Sequence, residues 1–467
     1  MPRPELTEPR AVSTPPVIPA LVTSLSGWGG GAGSRASLLR IRSTDSLIAA
    51  VAGSPRSRPG ALARGAIARG MGRSYGDAAQ LEGGAVLDMT ALQAFQLDRS
   101  SGEVTAQAGV TIGRLLETLV PAGWILPAVP GTAHVTVGGA IASDVHGKNH
   151  AVAGTFGRHV LELGLLLSSG EVVTLTPERD RALFDATVGG MGLTGVILWA
   201  RIALQRVGGP WLSVDSDRVG TLDAAFAALL APGGEHRVAW LDLLGSGLAR
   251  GVVTRAAHVH DGARGGQVTV PARATVPERW PSGLLNTITV RAYNEFRFRR
   301  APLHERGRAM AFGQHTFPLD ALERWPRLYG RQGLVQYQCA LPRGEGRLLE
   351  AVISKLRDRR VPCYLAVLKD LGEPSAAPLS FPLAGWALAL DLPRAASGLG
   401  TTLDSLDELV AAAGGRVYLT KDARMRPEAL AAMYPRLRDW REIRDRADPN
   451  GLWRSDLGLR TGLVGER

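Results

Sequence analysis

Two glycine-rich segments carry the residue types from which a phosphate or cofactor site could be built. Residues 69–77 read RGMGRSYGD, and Gly70, Gly72 and Gly76 in this stretch lack a Cβ atom. Backbone N–H groups there can turn inward and closely approach an anionic pyrophosphate. The spacing G-x-G-x-x-x-G differs from the dinucleotide fingerprint, and no lysine follows the glycines as in a Walker loop. The segment is therefore a candidate phosphate cradle, with a plain hairpin turn as the alternative.

The second segment, residues 130–150, reads PGTAHVTVGGAIASDVHGKNH. Its small residues would let a flat ring system lie against the backbone, and His146 and Lys148 supply polar groups beside it. His146 and His150 are four apart, as two metal ligands on a helix would be, but Gly147 disfavours a helix and Asp144 is the only acidic residue nearby. The segment thus predicts a cofactor crevice and no metal.

Lysine is scarce in this chain, and its positions are informative. Arginine supplies nearly all of the 54 basic residues, and the four lysines are Lys148, Lys355, Lys369 and Lys421. An ammonium group is a compact point charge whose pKa burial can lower, which arginine cannot offer. A lysine kept in such a background is a candidate for a role that arginine cannot fill. For Lys421, in YLTKDAR, the alternative is a surface lysine paired with Asp422.

Composition bounds the class of protein. A chain of 467 residues with 45% hydrophobic and 21% charged residues is expected to form two soluble domains. The net charge of +11 fits nucleic acid, an anionic membrane or an anionic substrate, but no nucleic-acid motif or lysine-rich run accompanies it. Cys339 and Cys363 are too few for a disulfide scaffold or a Cys-based metal centre. We predict a disordered leader over residues 1–20, with no signal-peptide core.

The apolar patterning predicts an α+β chain. Short strands alternate with short helices from about residue 38 to 202, including a helix capped by Thr111 and stopped by Gly123, and a hairpin over 162–176. The middle, 209–415, favours an antiparallel sheet with one face open to a ligand. Its predicted strands are 287–299, 333–341, 363–372 and 385–393, and a loop is predicted over 261–283. A short strand from Gly415 and a long helical stretch at 427–447 end the chain.

Taken in order along the chain, several blocks resemble the decaprenylphosphoryl-β-D-ribose 2′-oxidase family of the vanillyl-alcohol oxidase superfamily. The blocks are the two glycine-rich segments, TVGGMGLTGVIL (187–198), QYQ (336–338), APLSFPLAGW (377–386), YLTKDAR (418–424) and MYPRLRDWREIRDRADP (433–449). The resemblance implies a two-domain FAD-binding fold with an inserted antiparallel substrate domain. It assigns residues 21–208 to the FAD domain, 209–415 to the substrate domain and 416–467 to a segment that returns to the FAD domain.

The resemblance implies FAD-dependent oxidation of the 2′-hydroxyl of a polyprenyl-phosphoryl ribose to the 2′-keto sugar, the first half of an epimerisation that supplies cell-wall arabinan. It implies catalytic roles for Lys421 and His146, although His146 could instead be an architectural polar group. Implied substrate contacts are Lys148, Gln336, Gln338, Lys369, Ala389 and Lys421. Implied FAD contacts are Ala68, Arg69, Gly70, Met71, Gly72, Arg73, Ser74, Tyr75, Gly76, Asp77, Ala78, Gly131, Thr136, Val137, Gly138, Gly139, Ser143, Asp144, Val145, His146, Ile197 and Tyr418.

The first loop lacks the histidine that attaches flavin covalently in many superfamily members, so non-covalent FAD is expected, with His134, His146 and His150 as the alternatives for a bond. Three positions depart from the mycobacterial pattern. Ala389 stands where a cysteine lies over the flavin, Ala387 replaces a polar residue and Thr316 replaces a pocket tyrosine. The chain should therefore resist inhibitors that capture this cysteine. The apolar region 377–390 is expected to give a lipid-linked substrate its exit.

Two rival functions remain open from the sequence: an alditol- or aldonolactone-type oxidase of soluble sugars, and a polyprenyl-phosphate binding protein without chemistry. The resemblance further implies an NAD(P)H-dependent short-chain reductase as partner, to complete the epimerisation. It places the protein at the cell envelope, with the cytoplasm as the alternative, and the basic surface favours contact with anionic lipid.

Overall fold

The computed structural model describes residues 19–52, 60–245, 247–259, 265–281 and 283–465. The leader predicted over residues 1–20 lies almost wholly outside the described residues. Within them, no helix has both the length and the apolar character needed to cross a membrane.

Short strands and helices alternate along the chain, as the patterning predicts for an α+β protein. The strands are β1 Ala20–Leu25, β2 Ser34–Arg40, β3 Ala66–Arg69, β4 Ala85–Asp88, β5 Phe95–Asp98, β6 Glu103–Gln107, β7 Trp124–Ile125, β8 Val160–Leu166, β9 Val172–Leu175, β10 Val196–Ala203, β11 Gln205–Arg206, β12 Trp211–Val219, β13 His236–Asp242, β14 Arg250–His258, β15 Ala274–Thr275, β16 His304–Ala311, β17 Leu322–Glu323, β18 Leu334–Pro342, β19 Leu365–Leu371, β20 Gly385–Pro393 and β21 Arg416–Val417. The helices are α1 Thr44–Val51, α2 Ile112–Leu119, α3 Val137–Ala142, α4 His150–Ala153, α5 Arg181–Thr187, α6 Leu222–Leu230, α7 Thr287–Arg300, α8 Phe312–Thr316, α9 Leu348–Asp358, α10 Leu399–Ala412, α11 Pro427–Met433, α12 Leu437–Ala447 and α13 Asp456–Arg460.

Two sheets form the N-terminal part. One has the strand order β1-β2-β4-β3 and the other β5-β6-β10-β8-β9. The hairpin predicted over 162–176 is confirmed, because β8 and β9 pair antiparallel with Leu166 opposite Val172. The predicted helix is confirmed too: the Thr111 hydroxyl accepts a hydrogen bond from the Arg114 N–H at 3.3 Å and caps α2. The buried apolar face of α2 packs in the same core as this second sheet.

The middle of the chain forms an eight-stranded sheet with the order β16-β12-β14-β13-β19-β20-β18-β21. Its main strand pairs are antiparallel, as the period-2 alternation predicts. Pairing places Gln338 opposite Ala389, and Ala389 opposite Val367. Residues two apart on a strand share a face. One face of this sheet therefore carries Gln336, Gln338 and Lys369, while Tyr337 and Cys339 on the other face lie in the main hydrophobic core.

The strand predicted over residues 287–299 is wrong, because this stretch is helix α7. Asn286 caps it: its side chain accepts hydrogen bonds from the Ile288 and Thr289 N–H groups, and Thr289 returns a bond to the cap. The alternating apolar residues suggested a half-buried strand, yet Ile288 is 81% exposed. The local cap, and not burial of an apolar face, begins this helix.

The long helical stretch predicted over 427–447 consists of two helices, α11 and α12, which are separated near Tyr434. The phenol of Tyr434 donates to the Val417 carbonyl at 2.8 Å, which holds this break against strand β21. Beyond α12, Trp453 bridges to Ala66 of β3, and Arg460 reaches back to Asp77. The end of the chain therefore packs against the first glycine-rich loop.

Candidate active site

A cavity of about 550 Å³ lies between the two glycine-rich segments and the open face of the eight-stranded sheet. Every predicted substrate contact lines this cavity. Every predicted cofactor contact does so as well, except Gly76, Asp77, Val137 and Asp144. The sequence blocks that lie far apart along the chain are thus brought to one site.

The first loop is fixed from both sides by backbone hydrogen bonds. The Trp28 N–H donates to the Ser74 carbonyl at 2.7 Å, and the Tyr75 N–H donates to the Thr420 carbonyl at 3.0 Å. The second bond ties the loop to the residue before Lys421. A plain surface hairpin needs neither contact, so the loop is a wall of the cavity.

Within the loop, Arg69 and Gly72 depend on each other. The Arg69 guanidinium donates to the Ala79 and Ser26 carbonyls, both at 2.8 Å. Gly72 has a φ of +61°, and a Cβ atom on it would lie 2.4 Å from an Arg69 nitrogen. Both the left-handed backbone and the space require glycine here.

The second segment meets the first at Thr136, the cap of α3. Its hydroxyl accepts from the Gly139 N–H at 3.2 Å, and a Cβ atom on Gly70 would lie 2.3 Å from the same oxygen. Gly131, in contrast, lines the cavity and has nothing within 4 Å of an added Cβ. The two segments therefore touch at one point and leave an open cleft at another.

The four predicted contacts that do not line the cavity support its walls. Gly76 packs against the carbonyl of Asp422, which an added Cβ would meet at 1.9 Å. Asp77 binds Arg460 through both carboxylate oxygens at 2.7 and 2.8 Å. Val137 is fully buried in the core. Asp144 accepts from the Ser380 hydroxyl at 2.5 Å and the Gly157 N–H at 3.0 Å, and burial raises its pKa.

Three lysines line the same cavity. Burial is the largest cause that lowers the pKa of Lys421 to about 7, and it is opposed by the Asp391 carboxylate. Burial also lowers the pKa of Lys148 to about 7 and that of Lys369 to about 8. The Lys421 ammonium lies 4.1 Å from the centre of the Tyr75 ring. Asp422 instead pairs with Arg460 at 2.9 Å, so Lys421 is not a surface lysine paired with its neighbour.

A row of polar groups crosses the sheet below these lysines. The Gln336 amide donates to Asp391 Oδ1 at 2.5 Å, and the Gln338 amide nitrogen lies 3.1 Å from His146 Nε2. Burial raises the pKa of Asp391 to about 6, while its bond from Gln336 and the charge of Lys421 oppose the shift. Both amides are therefore oriented by fixed partners and present a polar wall to the cavity.

His146 is a buried, neutral imidazole. Burial first, and then the charge of Lys369, hold its pKa well below the usual value. Its ring lies 5.4 Å from those of Phe381 and Tyr418, and the Tyr418 hydroxyl donates to the Ser143 carbonyl at 2.7 Å. The geometry gives His146 a hydrogen-bonding role at the cavity wall. The helix that would have aligned it with His150 does not form, since α4 begins only at His150.

The apolar segment 377–390 does not form the expected exit for a lipid. Leu379, Phe381 and Leu383 are buried, and Phe381 stacks on Tyr418 at 4.7 Å between ring centres. The part of this segment that precedes β20 is core that supports the site. Of the positions that depart from the mycobacterial pattern, Ala389 and Thr316 line the cavity. Ala387 is on the same face of the sheet but is buried in a cluster with Phe381 and Tyr418.

Sequence reasoning missed Asp391 and Arg297 at this site. Asp391 is the acidic residue in the otherwise apolar strand GWALALDLP, and this contrast was a usable signal. Arg297 lines the cavity from α7, but nothing in the sequence distinguishes it from the many other arginines. Its contribution also required the helix that the pattern did not predict.

Comparison with known proteins shows which family and which relatives this chain resembles. The family described as FAD binding domain matches residues 41–176. A decaprenylphosphoryl-β-D-ribose oxidase of Mycolicibacterium smegmatis is 36% identical over 461 residues, 96% of this chain and 99% of the relative. An uncharacterised protein of Streptomyces coelicolor is 40% identical over 76% of this chain and all of its own length. A D-arabinono-1,4-lactone oxidase of Yarrowia lipolytica is 29% identical over only 21% of this chain.

Proposed function

We propose, because the chain belongs to the decaprenylphosphoryl-β-D-ribose oxidase family, that it oxidises the 2′-hydroxyl of a polyprenyl-phosphoryl ribose to the 2′-keto sugar. The chain is an FAD-dependent oxidoreductase, and the substrate is what we infer. The observation that carries the inference is the cavity itself. Two glycine-rich segments form one wall, the opposite sheet presents two oriented amides, and three lysines line the cavity.

The cavity suits FAD on the evidence of its own walls. At Gly131 the backbone borders open space that a side chain would begin to fill, and Gly70 and Gly72 keep the first loop close to Thr136 and Arg69. The residues that would hold the cofactor are those of the first loop together with the α3 region and Ile197. When bound, FAD supplies a hydride acceptor.

The protein's part in the oxidation is to position the sugar and accept a proton. Lys421 in its neutral form is the proposed acceptor of the hydroxyl proton, as the carbon-bound hydrogen departs with its electron pair. Gln336 and Gln338 would hold ribose hydroxyls through their amides. Lys148 and Lys369 offer positive charge to the phosphate of the substrate. His146 would complete the wall as a neutral hydrogen-bonding group.

We further propose that FAD is bound without a covalent bond. Residues 69–80 contain no histidine. Of the histidines in the second segment, His146 lines the cavity, and its Nε2 atom already lies 3.1 Å from the Gln338 amide. Precipitating the purified protein with acid should release all of the yellow colour into the supernatant. Flavin fluorescence that stays with the denatured chain on a gel would refute this.

The experiment that tests the function is an anaerobic titration of the purified, yellow protein with polyprenyl-phosphoryl ribose. Loss of flavin absorbance at a stoichiometry near one is the expected result. Bleaching by free alditols or aldonolactones, with rapid peroxide formation in air, would favour the soluble-sugar oxidase. A colourless protein that binds the lipid phosphate would favour the binding protein without chemistry.

The partner and the location belong to the same proposal. The 2′-keto product requires reduction to complete an epimerisation, so we propose an NAD(P)H-dependent short-chain reductase as the next enzyme. For the lipid-linked substrate we propose contact with an anionic membrane surface at the cell envelope, by way of α7. Ile288, Tyr293 and Phe296 on this helix are 81%, 58% and 59% exposed, and arginines accompany them.

Vesicle binding tests the membrane proposal. The chain should sediment with vesicles that contain anionic phospholipid and stay in solution with purely zwitterionic vesicles. Replacing Ile288 and Phe296 together by aspartate should abolish the binding and leave flavin content unchanged. An equal double replacement at exposed Leu21 and Val22, away from α7, is the matched control. Binding that survives the α7 replacements would contradict the proposed surface.

A further inference from the structure

Three histidines and one glutamate meet at the end of strands β13 and β14, outside the residues used so far. His236 begins β13 and pairs with Ala256, so His258, two residues further along β14, lies on the same face of the sheet. The side chains of both histidines are 7% exposed. His315 lies beside them, with its ring centre 6.1 Å from that of His236.

The rings are held in place with their nitrogens facing each other. His258 stacks on Phe312 at 5.6 Å, and His236 meets the same ring edge-on at 6.0 Å. The two Nε2 atoms are 3.4 Å apart. Glu235 Oε1 lies 3.9 Å from His236 Nε2 and 4.0 Å from His258 Nε2. Three ligand atoms of the types that zinc prefers therefore surround one point.

We propose that Glu235, His236 and His258 form a binding site for a zinc-class divalent ion. Two imidazole nitrogens bound to a tetrahedral Zn²⁺ at about 2.05 Å lie about 3.4 Å apart, which matches the observed separation. The same separation is at the outer limit of a hydrogen bond between two rings. Glu235, whose side chain is 23% exposed, has to approach by about 0.6 Å to ligate.

A second observation supports a ligand at this place. Both ring nitrogens of His315 are buried and lack a hydrogen-bond partner within the described part of the chain. Buried polar groups of this kind are uncommon, and an ion with its bound water is one way to satisfy them.

The ion would bind beside the active-site cavity, which His315 also lines. Val238 and Thr254, on the same two strands, line the cavity, and the Arg237 N–H donates to the Lys148 carbonyl at 2.7 Å. The Lys148 ammonium also donates to the His315 carbonyl. The ion would join two strand ends to the loop that carries Lys148.

The experiment measures metal content of the full, FAD-loaded chain. The protein is stripped with a chelator, mixed with one equivalent of Zn²⁺, desalted and analysed for zinc per flavin. We expect a ratio near one for the wild type. Glu235→Gln, which keeps the size of the side chain, should weaken Zn²⁺ binding at least tenfold in competition with a chromophoric chelator, and His258→Asn should reduce the ratio to near zero. His304→Asn removes a 73%-exposed histidine of the same sheet and should bind as the wild type.

X-ray absorption at the zinc edge identifies the ligands. Two imidazole nitrogens at about 2.0 Å, with oxygen in the remaining positions, is the expected result. A wild-type ratio near zero would overturn the proposal, as would binding that neither Glu235→Gln nor His258→Asn affects. Flavin absorbance reports whether each variant folds. Glu235 lies at the surface end of the cluster, so Glu235→Gln still tests the proposal if His258→Asn fails to fold.

Discussion

Replacing Lys421 by methionine should remove the acidic limb of the pH–rate profile together with most of the activity. Methionine keeps the length and apolar stem of lysine and removes the amine. Lys421 lines the cavity beside Tyr75, and burial lowers its pKa to about 7. As the proton acceptor, it must be neutral in the free enzyme.

The magnitude follows from that pKa. A group with a pKa of about 7 is about 9% neutral at pH 6 and about 91% neutral at pH 8. The kcat/KM for polyprenyl-phosphoryl ribose should therefore rise about tenfold between these pH values and level off above them. At the ordinary pKa of 10.5 the same side chain would be less than about 1% neutral at pH 8, and the rate would still be rising. Loss of a positioned base costs about 10²- to 10⁴-fold in rate.

The assay is stopped-flow reduction of the bound flavin without oxygen, from pH 5.5 to 9.5, so that the electron acceptor has no influence. Lys355→Met is the matched control, because Lys355 lies on α9 outside the cavity and donates to the Ser405 carbonyl. Lys148→Met distinguishes the contribution of Lys148 to the pH–rate profile from that of Lys421, since the pKa of each is about 7. A Lys421→Met variant that retains the acidic limb and more than a tenth of the activity would refute the assignment of Lys421 as the base.

Other expectations concern the walls of the site. Gly70→Ala places a Cβ 2.3 Å from Thr136 Oγ1, so it should destabilise the protein by about 1–3 kcal/mol and release FAD. Gly220→Ala is the control, because a Cβ there meets open space, and it should leave the flavin content unchanged. Arg460→Met leaves Asp422 buried without its cation, so it should lower the free energy of unfolding in denaturant by about 3–5 kcal/mol. Arg438→Met, which removes an exposed ion pair, should cause no measurable loss of stability. Equal unfolding midpoints for the two variants would contradict this. A nitroaromatic that captures a cysteine over the flavin should form no adduct with the wild type by intact mass, and Ala389→Cys should gain one; an adduct on the wild type at this cavity would be the contrary result.

The local sequence was sufficient to predict a residue's role where that role depends on its own backbone or on its neighbours in the same element. Gly72 is required by a left-handed φ, and Thr111 caps α2 through a bond three residues away. Alternation on β18 placed Gln336 and Gln338 on one face without knowledge of the partner strands. The chain has only four lysines, and three of them, Lys148, Lys369 and Lys421, line the cavity.

Other features required the assembled fold, because they depend on groups distant along the chain. Gly76 is needed for contact with Asp422, over 340 residues later, and not to face the cavity. Helix α7 was hidden because Ile288, Tyr293 and Phe296 are exposed, so its apolar residues follow no periodic pattern of burial. The lowered pKa values of the lysines come from burial between two walls. His236 and His258 are 22 residues apart and become neighbours only when β13 pairs with β14. The sequence therefore determined which chemical groups are present, and tertiary packing decided which of them meet and in what charge state.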